Sequence, residues 1–201
     1  MAKKWICLLL ALAMVCGLCA CGQDDTPPTN YEQVAEEYIE AYFLRDSAKR
    51  FSLFFYDARR QWEDKMVADN GSAEAFFAEA QKQAAAKGVN VTIDSFDTYY
   101  NAYHQFILKD CAAIYGEGFE VTVKAAESTK LEGEQLALFI DRQLGALDDK
   151  YVDADAYRAL TDIYTVAVHL HVEGSLKTHD ETYQVQVGYH DGSWKVLSHS
   201  I

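Results

Sequence analysis

"TYQVQVGYHDGSWKVLSHS", residues 182–200, alternates apolar and polar side chains on both sides of Asp191-Gly192. Alternation with period two is the pattern of a half-buried strand, and Asp-Gly between two such runs is a strong two-residue hairpin signal. In the first arm Tyr183, Val185, Val187 and Tyr189 share one face, and Thr182, Gln184, Gln186 and His190 the other. The preceding segment repeats this division, with Tyr164, Val166, Val168, Leu170 and Val172 opposite Thr165, Ala167, His169 and His171. Strands are therefore expected near 162–173, 181–190 and 193–199, forming an antiparallel sheet with one apolar and one wet face.

Upstream the period becomes helical. Tyr31, Val34, Ala35, Tyr38, Ile39 and Tyr42 form one stripe behind a capping-box-like start at Asn30 and Gln33. Asp46 or Ser47 can cap a second helix with the stripe Phe51, Phe55, Ala58, Trp62 and Met66. Asn70-Gly71 breaks that pattern, and Ser72 opens a third helix through Phe76, Phe77, Ala80 and Ala84 that Gly88 ends. Val89, Val91 and Ile93 suggest a short strand. A fourth helix from Ser95 or Asp97 carries Tyr99, Tyr103, Ile107, Cys111 and Ile114, stopped by Gly116 and Gly118. A strand with Phe119, Val121, Val123 and Ala125 on one face follows. The fifth helix, from about Glu132, turns Leu136, Phe139, Ile140, Leu144 and Leu147 inward.

Helices first, then a strand, then a closing meander define an α+β class. The final hairpin, a polar turn followed by Ser193-Trp194-Lys195-Val196, resembles the end of NTF2-like (cystatin-like) domains. There, N-terminal helices pack on a curved antiparallel sheet. The segment 111–139, "CAAIYGEGFEVTVKAAESTKLEGEQLALF", is similar to that of small lipoproteins of Gram-positive bacteria. The resemblance covers most of residues 31–201, which fit one domain large enough to bury about 70% of its unfolded surface.

The N-terminus agrees with such an origin. Lys3 and Lys4 precede an apolar run from Trp5 to Ala20, the layout of a secretory signal. Leu18-Cys19-Ala20-Cys21 resembles the bacterial lipobox, which implies cleavage after residue 20 and a diacylglyceryl thioether on Cys21. Two acyl chains suffice for stable membrane attachment. Residues 22–30, with both prolines of the chain, Pro27 and Pro28, read as a tether reaching at most roughly 30 Å. Localisation is expected to be extracytoplasmic, lipid-anchored to the cell membrane.

Loss of the signal leaves Cys111 as the one cysteine of residues 31–201, with no internal disulfide to make. The 18 basic and 31 acidic side chains give a net charge of −13. Without Lys3 and Lys4 it becomes −15, from 16 basic against 31 acidic residues. Such a surface repels phosphate backbones, which argues against nucleic acid as a partner.

The chemistry-bearing residues are few. His169 and His171, two apart on a strand, offer a metal two ligands, but no third is fixed among His179, His190 and Glu173, and both lie on the wet face. That face is expected to be solvated or to form a homodimer. Asp148, Asp149, Asp153, Asp155 and Asp162 fail the EF-hand register, because Tyr157 and Tyr164 stand at its fifth and twelfth places. Cys111 on an apolar stripe reads as core. No nucleophile elbow or phosphate loop occurs, and nothing calls for a cofactor.

The aromatic load, thirteen Tyr, ten Phe and three Trp, is the strongest remaining signal. Ketosteroid isomerases, which are NTF2-like enzymes, set an acid/base Asp and a Tyr in a cone between sheet and helices; here no inward Asp or Glu is evident. The pocket candidates are Tyr38, Tyr42, Trp62, Tyr103, Tyr164 and Tyr183. The expectation is a non-catalytic module for a small hydrophobic ligand or an envelope protein. A structural envelope protein dimerising through its sheet and an enzyme with an acid/base pocket are the alternatives.

Overall fold

The computed structural model describes residues 30–201. The signal segment 1–20, Cys21 and residues 22–29 of the tether lie outside the described residues. The described chain is α+β, with an antiparallel sheet in the order β1-β2-β3-β4. The strands are β1 (Glu120–Lys130), β2 (Ile163–Glu173), β3 (Thr178–His190) and β4 (Ser193–Ser200). Five helices precede the sheet: α1 (Tyr31–Phe43), α2 (Ser47–Ser52), α3 (Ala58–Asn70), α4 (Ala73–Ala86) and α5 (Phe96–Tyr115). Two more, α6 (Gly133–Ala146) and α7 (Ala154–Arg158), interrupt the meander between β1 and β2. The sequence-based class therefore holds: helices packed on an antiparallel sheet.

Helix α1 lies across all four strands. Asn30 Oδ1 accepts from the Gln33 N–H at 2.7 Å, satisfying one of the donors a helix start leaves free. The stripe Val34, Ala35, Tyr38 and Ile39 is then buried against Val166, Val168, Leu170, Val172, Val185 and Val187, the inner face anticipated from alternation. Asp191 and Gly192 take φ of +48° and +79°, the left-handed pair a tight hairpin turn needs.

The other face of the sheet is not wholly wet. Ile163, out of step with the inner residues of β2, is fully buried, and with Leu197 it meets Ile140, Val152, Tyr157 and Leu160 from α6, α7 and the loops beside them. The α6–α7 excursion thus builds a second core over the β2 start. Beyond it the outer face is open, with His169 Nδ1 2.7 Å from Thr182 Oγ1 and Ser198 Oγ donating to Gln186 Oε1 at 2.6 Å.

Three local expectations differ from the structure. The stripe Phe51 to Met66 does not run along one helix: α2 ends at Ser52, and Leu53–Phe55 pairs with β4. Phe55 N–H donates to the Val196 carbonyl at 2.9 Å, and Val196 N–H to that of Leu53 at 2.8 Å. This pairing covers part of the free edge of β4, which would otherwise present unpaired backbone groups. Asp57 then caps α3. Residues 89–93 form no strand; Gln81 supplies the partner instead, its amide donating to the Val91 carbonyl and its Oε1 accepting from Ile93 N–H at 2.7 Å. On α5, Tyr103 is 37% and Ile114 51% exposed, whereas Tyr100, Cys111 and Tyr115 are buried. Spacings of four advance about 40° per step on a helix of 3.6 residues per turn. The expected stripe winds around α5, whose first half meets α3 and α4 and whose second half meets the main core.

Candidate functional site

Helices α1 and α2, one side of α3, the loop 148–151 and the end of β4 border an open cleft of about 580 Å³. Its apolar wall is Tyr38, Phe51, Phe54, Tyr56, Trp62 and Tyr151. Arg50 and His199 stand among these rings. A second cavity of about 300 Å³, lined by Arg45, Tyr99, Tyr100 and Tyr103, shares Arg50 and Trp62 with the first.

His199 is there because of a bulge. Strict alternation from the inward Val196 would turn residue 199 outward. Pairing instead skips Leu197: Val187 faces Val196, Gln186 faces Ser198 and Val185 faces His199. The extra residue sends Leu197 into the second core and His199 back to the inner face. There its Nδ1 lies 2.7 Å from Tyr38 Oη. Burial, and then the Arg50 and Arg45 charges, hold the His199 imidazole below its ordinary range. Burial raises the Tyr38 phenol, against the opposing pull of Arg50. With the imidazole neutral and the phenol protonated, this is a neutral hydrogen bond whose direction follows the ring tautomer: Tyr38 O–H donates to Nδ1 when the proton is on Nε2, and Nδ1–H donates to Tyr38 Oη when it is not.

That shift has a thermodynamic consequence. Unfolded, His199 titrates near 6.5; folded, lower. Between the two values the unfolded chain binds more protons, and stability falls as pH is lowered through that window. The urea midpoint is expected to drop from pH 7.5 to pH 5 more steeply in the native chain than in His199→Gln. Equal slopes in both would remove His199 as the cause.

Arg50 is the charged residue set deepest in this wall. Its Nε is sealed from solvent without a hydrogen-bond partner among the described residues, and its guanidinium carbon lies 4.8 Å from the Phe51 ring centre. Burial lowers the Arg50 pKa, against the opposing pull of the Tyr38 phenol and with a smaller lowering from the Arg45 charge. Arg45 itself sits at φ +56° just after α1, a left-handed conformation usually left to glycine or asparagine, with its guanidinium over the Tyr42 ring at 4.7 Å. Carboxylates at the rim are engaged elsewhere. Asp64 accepts from Tyr151 Oη at 2.9 Å and pairs with Lys150 at 3.5 Å, contacts that hold its carboxyl below the usual range.

Of the pocket candidates read from sequence, Tyr38 and Trp62 line the large cleft, and Trp62 and Tyr103 the smaller cavity. Tyr42 and Tyr183 stand behind the cleft in the main core, in edge-to-face contact at 5.9 Å, with Tyr183 donating to Glu181. Tyr164 stacks on Tyr31 at 4.2 Å, away from the cleft residues. Arg50, Tyr56, Tyr151 and His199 are site residues that periodicity did not single out. The arginine had one signal, a cation amid the apolar run "RFSLFFY".

The remaining chemical candidates are placed in ordinary roles. His171 Nδ1 lies 2.7 Å from Asp180 on the outer face. Asp153 caps α7, and Asp162 pairs with Lys130 at 2.6 Å. Cys111 is buried, which raises its thiol pKa. Among the described residues no group of three or more His, Cys, Asp or Glu is placed to hold a metal ion, and no helix is long and apolar enough to cross a membrane. No protein-family model, curated protein or solved structure matches the chain. The class defined by fold and site is an α+β domain with an aromatic, arginine-bearing cleft.

Proposed function

We propose that the protein is a membrane-anchored, extracytoplasmic lipoprotein whose domain is a non-catalytic module binding a small ligand in the cleft between α1, α2, α3 and β4. The observation that carries the binding part is the cleft itself. Aromatic side chains that would close on one another in a filled core stand around about 580 Å³ of space, the size range of small-molecule sites. The anchoring part rests on the lipobox-like Leu18-Cys19-Ala20-Cys21 and on the resemblance of the domain to NTF2-like lipoproteins. A binding role suits the cleft better than acid/base catalysis. A carboxyl serving as general acid needs a raised pKa, and Asp64 at the rim is shifted the opposite way.

Mass spectrometry of the full chain expressed in a Gram-positive host tests both parts. Under denaturing conditions the mature chain is expected to begin at Cys21 with the mass of a diacylglyceryl group. Under native conditions it is expected to carry a small molecule lost on unfolding. A mature N-terminus elsewhere overturns the anchor, and a native spectrum of bare protein overturns the ligand.

A further inference from the structure

We propose that the cleft takes an organic anion, a carboxylate carried on an apolar body, and that the Arg50 guanidinium anchors it; this rests on the ligand-binding reading above. Arg50 combines three features. It is a half-buried cation among six aromatic side chains, with its Nε sealed from solvent. It forms no ion pair with any described residue, although the chain carries 31 acidic side chains and Lys49, Arg59, Arg60 and Lys150 nearby are all paired. It belongs to the walls of both cavities, at the place they share.

A structural arginine in such surroundings is ordinarily matched by a carboxylate, because a desolvated, unpaired charge destabilises the fold. The acids around the cleft serve other groups: Asp46 Oδ1 accepts from Lys49 N–H at 3.1 Å, Glu37 pairs with Lys49 at 3.4 Å, Asp64 holds Tyr151 and Lys150, and Asp148, on the cleft wall, accepts from Lys150 N–H at 3.0 Å. The missing partner is thus supplied from outside. A planar guanidinium offers two parallel donors that match a carboxylate, and the rings around it suit an apolar body. Arg45, kept at a backbone position better suited to glycine, adds a second positive charge beside the first. The remainder of the molecule is strongly acidic, so the attraction is local to this cleft.

The test is calorimetric titration of the full chain with 2-naphthoate and with 2-naphthylmethanol, two probes with the same ring system and different charge. The native chain is expected to bind the naphthoate at least ten-fold more tightly. Arg50→Met should erase that difference, lowering naphthoate affinity to that of the alcohol and leaving the alcohol unchanged. It should also melt no lower than the native chain, since the unpaired charge is gone. If Arg50→Met does not fold, Arg50→Lys serves: loss of the planar fork should weaken naphthoate several-fold and leave the alcohol alone. Equal binding of both probes to the native chain, or a naphthoate preference that survives either variant intact, overturns the anion inference and leaves the binding reading standing. Binding of neither probe overturns both.

Discussion

Gly174→Ala is expected to destabilise the protein by about 3 kcal/mol, from overpacking and a strained backbone hydrogen bond. A β-carbon at 174 would lie 2.1 Å from the Tyr115 carbonyl oxygen and 2.7 Å from its carbon. Neither atom is the free end of a side chain. The same carbonyl accepts from Leu176 N–H at 2.8 Å, so it cannot retreat without breaking the contact that seats the β2–β3 turn on the end of α5. Gly116, the residue after Tyr115, is held by its φ of +107° and by the turn facing it, with the Ser175 backbone nitrogen 3.2 Å from the position of its missing β-carbon and the rotatable Ser175 Oγ closer still. The two glycines interlock helix and turn. Thermal denaturation should show a fall of roughly 6–12 °C for a chain of this size. Gly192→Ala is the control: it meets a left-handed φ of +79°, which Gly174 does not, but has nothing within 4 Å, and should cost only about 1 kcal/mol. If Gly174→Ala melts no lower than Gly192→Ala, the turn yields and the interlock is not structural.

How far the sequence carried the fold depended on whether a pattern had one cause. Alternation in β2 and β3 has one cause, a single buried face, and the strands fall where the pattern put them. The helix caps Asn30 and Ser72 are local chemistry and equally legible; at the fourth helix, where Ser95 and Asp97 both fit, the structure selects Ser95. The stripe Phe51-Phe55-Ala58-Trp62 had two causes. Phe51 packs against Tyr100 and Phe55 against Tyr157 in the second core, and a helical spacing happened to span both. Only the pairing of Leu53–Phe55 with Val196, far along the chain, distinguishes them. The site was hidden for the same reason. His199 reaches the cleft through a bulge at Leu197, and no residue type at 197 announces that a strand has gained one residue. Tyr38 and Trp62 were found because aromatics on inward stripes are conspicuous. Arg50 was not, because burial of a charge is a tertiary fact.

The bulge offers the second large effect. Leu197 is 1% exposed and packs with Ile163 and Leu160 in the second core. It lies over Gly188, where an added β-carbon would stand 3.0 Å from Leu197 Cδ1. Leu197→Ala should cost about 3–4 kcal/mol in urea denaturation, toward the upper part of the usual range, because the floor of the cavity is a glycine on a paired strand and cannot collapse inward. Gly188→Ala alone is also expected to destabilise, by about 1–2 kcal/mol, since it presses on Leu197 and on Leu160 at 3.4 Å. Combined, the two changes should be less harmful than their sum, because the new methyl group occupies space that the truncated leucine leaves. A coupling of about 1 kcal/mol in this compensating sense is the signature of direct contact. Strict additivity would mean that Leu197 does not rest on Gly188. The extra residue of β4 would then deliver His199 to the inner face without Leu197 anchoring it on the second core.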